Sequence, residues 1–223
     1  MCEIGNLLVI AALFAGCPPI IHAQLYVGAL TGASTLSADA RSLLSPSSSS
    51  FSLYDPEIGP MLAVVAGKHL SDYVTMQADY VWNRNSLTLS SSHLAAGSQT
   101  GYEEKRASSQ HSVFAEALVY VRDRRSRFRP YLSVGTGVAH LSSSEQRVSQ
   151  TLGTPILPPQ NFSSNVIALR VPVGMDVNLG KGLVLRYTFS ETMSKNPIGD
   201  RLSPAGQHSL KNFENLFGLV KVF

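Results

Sequence analysis

The chain has 223 residues, 44 % of them hydrophobic and 15 % charged, with a net charge of +3 at pH 7. An average soluble domain is about a quarter charged, so this chain hides from water more than most or meets lipid, and so small a charge excludes a nucleic-acid footprint. Its length fits one large domain or two small ones, and its two cysteines, Cys2 and Cys17, lie close to the start, so the rest of the chain folds without disulfides.

Residues 1–23 read as a secretory signal peptide. "NLLVIAALFAG" (6–16) is an apolar run of h-region length, too short for a membrane-spanning helix of about 20 residues. Ala23 offers a small residue for cleavage, with Gln24 as the mature start. The leading "MCEIGN" departs from the pattern, since it lacks Lys and Arg and contains Glu3. A lipoprotein acylated at Cys17 is the alternative, which Pro18 directly after the cysteine disfavours.

From residue 24 to 223 the chain reads as one β-barrel domain. "QLYVGALTG" (24–32) and "GPMLAVVAGKHL" (59–70) are weak alternating segments. "VTMQADYVWN" (74–83) sets Val74, Met76, Ala78, Tyr80 and Trp82 against Thr75, Gln77, Asp79 and Asn83. "VFAEALVYVR" (113–122) sets small apolar residues against a row with Glu116, and "PYLSVGTGVAHL" (130–141) sets Leu132, Val134 and Val138 against Ser133, Gly135 and Gly137. The clearest stretch, "VIALRVPVGMDVNLG" (166–180), alternates seven apolar residues with Arg170, Pro172, Asp176 and small or polar ones. Side chains alternate faces along a strand, so each segment has one apolar and one wet face. Pro172 removes a ladder hydrogen bond, and a local bulge is expected there. "LVLRYTFS" (183–190) and a closing segment over about 210–223 complete eight strands.

The links sort by length. "SDY" (71–73), "DRRSRFR" (123–129) and "GKG" (180–182) are short, whereas 33–58, 90–111, 142–165 and 191–209 are long, polar and Ser-rich. Strict alternation of short and long links is the pattern of a transmembrane β-barrel, with periplasmic turns and extracellular loops.

The second face carries charges near strand centres: Asp79, Glu116, Arg170, Asp176 and Arg186, with Lys68 added to the set. Three acids against three bases balance, and isolated buried charges are too costly to keep. The expectation is a network across a narrow lumen, because eight strands leave an interior that side chains can fill. The competing reading puts these charges on the wet outside of a soluble, lipocalin-like periplasmic barrel that binds an apolar ligand. Trp82, Tyr80, Tyr187, Phe189, Phe217 and Phe223 sit where the aromatic girdles of a membrane barrel would lie.

With these strands, links and final aromatic, residues 24–223 resemble the small OmpA/OmpX-type outer-membrane barrels. The resemblance implies an all-β, eight-stranded, antiparallel up-and-down barrel in the bacterial outer membrane. It also implies that the last strand is read by the barrel-assembly machinery, and Phe217, Leu219 and Phe223 match that signal while Lys221 departs from it. The expected partners are outer-membrane lipids, the assembly machinery through the C-terminal strand, and an extracellular partner through the long loops. A monomer is expected.

Chemistry is sparsely signalled. The six histidines show no HExxH spacing, there is no GxSxG elbow and no phosphate loop, and no catalytic residue, cofactor or metal is expected. His208, Ser209 and Glu214 resemble the constellation of lipid A deacylase barrels, but neighbours on a strand face apart. Arg124, Arg125, Arg127 and Arg129 form a basic periplasmic turn, which keeps the barrel end in water or meets phosphates or carboxylates. A structural or surface-interaction role is expected, with a narrow pore as a further alternative.

Overall fold

The computed structural model describes residues 24–38, 40–45, 48–95, 98–150, 161–197 and 208–223. The signal and Cys17 readings on 1–23 lie outside the described residues. Ten strands follow one another: β1 (Leu25–Ser37), β2 (Arg41–Ser45), β3 (Ser48–Pro56), β4 (Ile58–His69), β5 (Val74–Ala95), β6 (Ser98–Tyr120), β7 (Phe128–Gln150), β8 (Phe162–Gly180), β9 (Leu183–Lys195) and β10 (Ser209–Val222). Every pairing is antiparallel, and β1, β4, β5, β6, β7, β8, β9 and β10 form a closed ring of eight. Closure comes from β1 on β10, in register from Tyr26 opposite Val222 to Ser37 opposite Lys211.

The two extra strands come from a broken first hairpin. β3 and β4 run successively along β5, with Ser48–Pro56 opposite Ala95–Leu87 and Met61–His69 opposite Asn83–Thr75. Between them the Glu57 amide still donates to the Ser86 carbonyl at 3.1 Å. Pro56 and Pro60 flank the break, and neither can donate to a ladder. β2 adds to the outer side of β3.

The strands extend much further into the long links than expected. β5 and β6 stay paired from Val74 and Val119 up to Ala95 and Ser98, and β7 follows β6 to Gln150. Alternation survives the serine-rich composition there: Leu87 and Leu89 are fully buried while Thr88 and Ser90 are not. Two of the long links, 33–58 and 90–111, thus contain β-hairpins, and residues 144–150 of a third extend β7 along β6.

Pro172 is accommodated without a bulge. Leu132 pairs with Val173 and Gly135 with Arg170 in one unbroken register, and the two positions between them go unpaired. On its other side Pro172 pairs with Ser190 normally. The register shift in β8 lies instead between Asn178 and Gly180, where the chain enters its turn.

That turn needs its glycines. Gly180, Lys181 and Gly182 all have positive φ, at 92°, 54° and 71°, the twist that a tight hairpin demands. A Cβ on Gly182 would stand 2.5 Å from the Val222 carbonyl oxygen. Gly182→Val is expected to cost roughly 1–3 kcal/mol, seen as a lower urea midpoint in lipid vesicles.

The interior is filled. An apolar group of Tyr26, Leu30, Met61, Val65, Phe114, Leu216 and neighbours packs around the barrel middle, and a second group of Leu36, Tyr54, Leu87, Leu89, Leu141 and Leu210 sits higher. The inward rows are therefore mixed rather than uniformly small and polar. In β4 both faces are apolar, with Met61, Ala63 and Val65 inside and Leu62 and Val64 outside.

Candidate functional site in the barrel lumen

The outward rows make a continuous apolar belt. Val64, Met76, Val113, Val134, Leu169, Leu185 and Leu219 are each about half exposed. Its upper limit is marked by outward polar pairs: Tyr80 OH with His111 Nδ1 at 2.7 Å, His140 Nδ1 with Asn165 Oδ1 at 2.7 Å, and Tyr187 OH donating to Asn215 Oδ1 at 3.0 Å. Tyr80, Tyr187, Phe189, Phe217 and Phe223 point outward and are exposed, and Trp82 lies in the same outward row. At the lower limit Lys221 Nζ donates to the Lys181 carbonyl at 2.7 Å. The lysine that breaks the C-terminal apolar row therefore folds back onto the neighbouring turn instead of entering the belt.

Inside, two arginines organise the middle of the lumen. Arg170 Nη1 meets Asp79 Oδ2 and Glu116 Oε1, both at 2.8 Å. Its Nε and Nη2 reach Glu214 Oε2 at 2.9 and 2.8 Å, and Nη2 also donates to Ser190 Oγ at 3.1 Å. One guanidinium thus joins β5, β6 and β10 across the barrel from β8. Hydroxyl and amide donors complete the carboxylates: Ser133 on Glu116, and Ser190, Thr192 and Asn212 on Glu214. Gly135 makes room for Glu116, since a Cβ there would lie 2.5 Å from Glu116 Cγ.

Below it, Arg186 forms a two-pronged pair with Asp176, Nε to Oδ1 at 2.7 Å and Nη2 to Oδ2 at 2.8 Å. Such a fork matches the planar carboxylate. Arg186 Nη1 donates to Gln77 Oε1 at 2.6 Å, which also accepts from Tyr26 OH at 2.6 Å. The rings of Tyr26 and Tyr131 each lie 5.3 Å from the Arg186 guanidinium carbon, within cation–π range. All six charged side chains of these two clusters are nearly fully buried.

Of the residues expected in the lumen, Asp79, Glu116, Arg170, Asp176 and Arg186 come together, and Lys68 does not. Lys68 lies in the outward row of β4, in phase with Leu62 and Val64, and His69 takes the inward place. Glu214 belongs instead to the network. The charge count changes accordingly, to four carboxylates against two guanidiniums. Asp79 Oδ1 has no hydrogen-bond partner among the described residues. A further ion pair, Arg106 with Glu104, lies higher in the lumen, fully buried and braced by Ser143. Sequence reasoning placed both in a loop, and only the 104/106/108 spacing inside a serine-rich run signalled them.

The basic turn divides. Arg124 Nε binds Asp72 Oδ1 at 2.8 Å, while the guanidinium of Arg125 and that of Arg127 point to solvent, the latter 5.9 Å from the Phe128 ring. Asp123 Oδ1 shapes the turn by accepting from Ser126 Oγ, Ser126 N and Arg125 N at 3.0–3.1 Å. The Ser126 hydroxyl above all, with these amides, holds the Asp123 carboxyl below its usual range. Arg129 is not in the turn. It opens the inward row of β7, is 7 % exposed, and stacks 3.8 Å from the Tyr120 ring centre.

The deacylase-like constellation does not assemble. His208, just before β10, and Ser209, its first residue, are exposed, whereas Glu214 is fully buried on Arg170. Among the described residues no group of three or more His, Cys, Asp or Glu is placed to hold a metal ion.

No known family profile and no curated protein matches the chain. Solved structures do. The Neisserial surface protein A structure aligns with a TM-score of 0.51 at 17 % identity, over 89 % of this chain and 97 % of that one. The attachment invasion locus protein Ail of Yersinia pestis, solved with the heparin analogue sucrose octasulfate, aligns with a TM-score of 0.51 at 10 % identity, over 91 % of this chain and 100 % of that one.

Proposed function

We infer that this chain, which has the fold of the small OmpA/OmpX-type outer-membrane barrels, is an integral outer-membrane barrel with a structural or surface-interaction role and a closed lumen. The observation that carries this reading is the inversion of faces: half-exposed Leu, Val, Met and Phe outside, and buried charges inside. A soluble barrel arranges these the other way, because water would charge the exposed apolar belt a large free-energy penalty. Only closed barrels and helices can cross a bilayer without unsatisfied backbone groups, and the β1–β10 pairing leaves the ring without a free edge.

Closure of the lumen rests on packing. The cavity between Asp79, Glu116, Arg170 and Arg186 amounts to about 10 Å³, too small for any solute. The pore reading is tested in planar lipid bilayers. The wild-type barrel should show no steady conductance, and Arg186→Ala, which removes the fork to Asp176, should raise conductance. A steady wild-type current would overturn the plug. The filled barrel middle also leaves no apolar cavity of the kind a lipocalin-like carrier uses for its ligand.

The lipids touching the belt are the first partners of the protein. The outward row of Phe217, Leu219 and Phe223 is the segment offered to the barrel-assembly machinery, and it belongs to the strand that completes the ring. The serine-rich hairpins are the surface offered to an extracellular partner. The separation of the exposed His208 and Ser209 from the buried Glu214 supports a non-enzymatic role over the deacylase-like reading.

A further inference from the structure

Below the Arg186–Asp176 pair the barrel opens into a vestibule of about 480 Å³ at the end bearing the short turns. His69, Asp72, Arg124, Arg125, Arg129 and Asn178 line it. Arg129 is built into its wall rather than waving over it. Its guanidinium is stacked on Tyr120, its Nη2 donates to the Asp72 carbonyl at 3.0 Å, and its Nε is buried with no hydrogen-bond partner among the described residues. A buried donor left unmade costs free energy, and because Arg129 lines this cavity an acceptor bound there can satisfy it.

The surrounding charges define that acceptor. The Asp72 carboxylate already serves Arg124, and Asp176 is occupied by Arg186 and by the Tyr120 hydroxyl. The guanidiniums of Arg125 and Arg129, both lining this one concave opening, are left without an ionic partner among the described residues. Guanidinium forks match planar or tetrahedral oxyanions. We propose that the vestibule is an oxyanion site, taking a phosphate or carboxylate group that enters along the barrel axis from the periplasm.

Arg129 supplies the fixed donor and Arg125 the mobile charge. The Asp123-braced turn holds Arg125 over the opening, as the Arg125 and Ser126 amides are both tied to that carboxylate. The oxyanion can come from a free solute or from a phospholipid headgroup of the inner leaflet curling under the rim.

The test is titration with inorganic phosphate of the folded barrel in uncharged detergent micelles, following the arginine Nε–Hε signals by NMR. Sodium chloride at equal ionic strength is the control. A saturable shift of the Arg129 signal with phosphate but not chloride is expected. Arg125→Gln should weaken binding about three-fold or more, and Arg129→Lys, which keeps charge but loses the fork, about ten-fold. Arg125 sits on an exposed turn, so its variant folds even if the Arg129 variant does not, which heat-modifiable gel migration verifies. Repeating the titration in nanodiscs separates the sources. Equal shifts in phosphatidylcholine and phosphatidylglycerol discs assign the site to soluble oxyanions, and loss of the shift in phosphatidylglycerol assigns it to headgroups. Absence of a saturable shift, an equal response to chloride, or wild-type affinity in Arg125→Gln would overturn the proposal.

Discussion

Arg170→Met should destabilise the folded barrel by about 3–5 kcal/mol, the cost of stranding buried charges when one partner is removed. Methionine nearly fills the space, so the loss is electrostatic rather than a cavity. Asp79, Glu116 and Glu214 would then face one another in the lumen without the guanidinium that now touches all three. Arg170→Lys should recover little, because an ammonium is a point charge that cannot distribute donors among three carboxylates. Adding Glu214→Gln and Asp79→Asn to Arg170→Met should recover more, a non-additivity that a mutant cycle reads directly. Urea unfolding in phospholipid vesicles, followed through the single tryptophan, Trp82, measures all of these. An unchanged midpoint for Arg170→Met would mean that water reaches the carboxylates and that the lumen is open.

The face assignment has an equally large consequence outside. Val134 lies in the outward row of β7, midway between Phe128 at the lower end of the strand and His140 at the upper limit of the belt, and is 54 % exposed. Val134→Arg should cost about 2–4 kcal/mol in a bilayer, the price of an arginine at the midplane of a barrel's lipid face. In water the same exposed position would tolerate arginine within about 0.5 kcal/mol. Thermal or urea unfolding in vesicles and membrane yield after expression should both fall. Wild-type stability and yield would contradict the lipid-facing belt.

What the sequence disclosed depended on how cleanly each strand separated its two faces. Over 167–179 and 183–189 every second residue is apolar, and that alternation alone places Arg170, Asp176 and Arg186 on the inner face. β4 is apolar on both faces, so its phase was ambiguous and Lys68 was set in the wrong row. β10 hid Glu214 for the same reason. Leu210, Leu216 and Val220 point inward beside it while Phe217 and Leu219 point outward, and the segment looked like a polar loop running into a strand. The tall hairpins were missed because serine and threonine are read as loop residues, although ladders need only backbone groups. The inward tyrosines, Tyr26, Tyr120 and Tyr131, carry no sequence mark that distinguishes them from girdle aromatics. Their role follows from the rings and hydroxyls they bring to Arg186 and Asp176.

The length of the paired strands fixes how far the protein stands out from the cell. β5, β6 and β7 contain 22, 23 and 23 residues. At about 3.4 Å per residue and a tilt near 40°, each rises about 55–60 Å, of which the hydrocarbon band takes only about 25 Å. The tips therefore stand about 30 Å above the hydrocarbon, beyond the headgroups. Anything approaching the bilayer from that side meets the serine-rich ladder of β5, β6 and β7 before it reaches lipid.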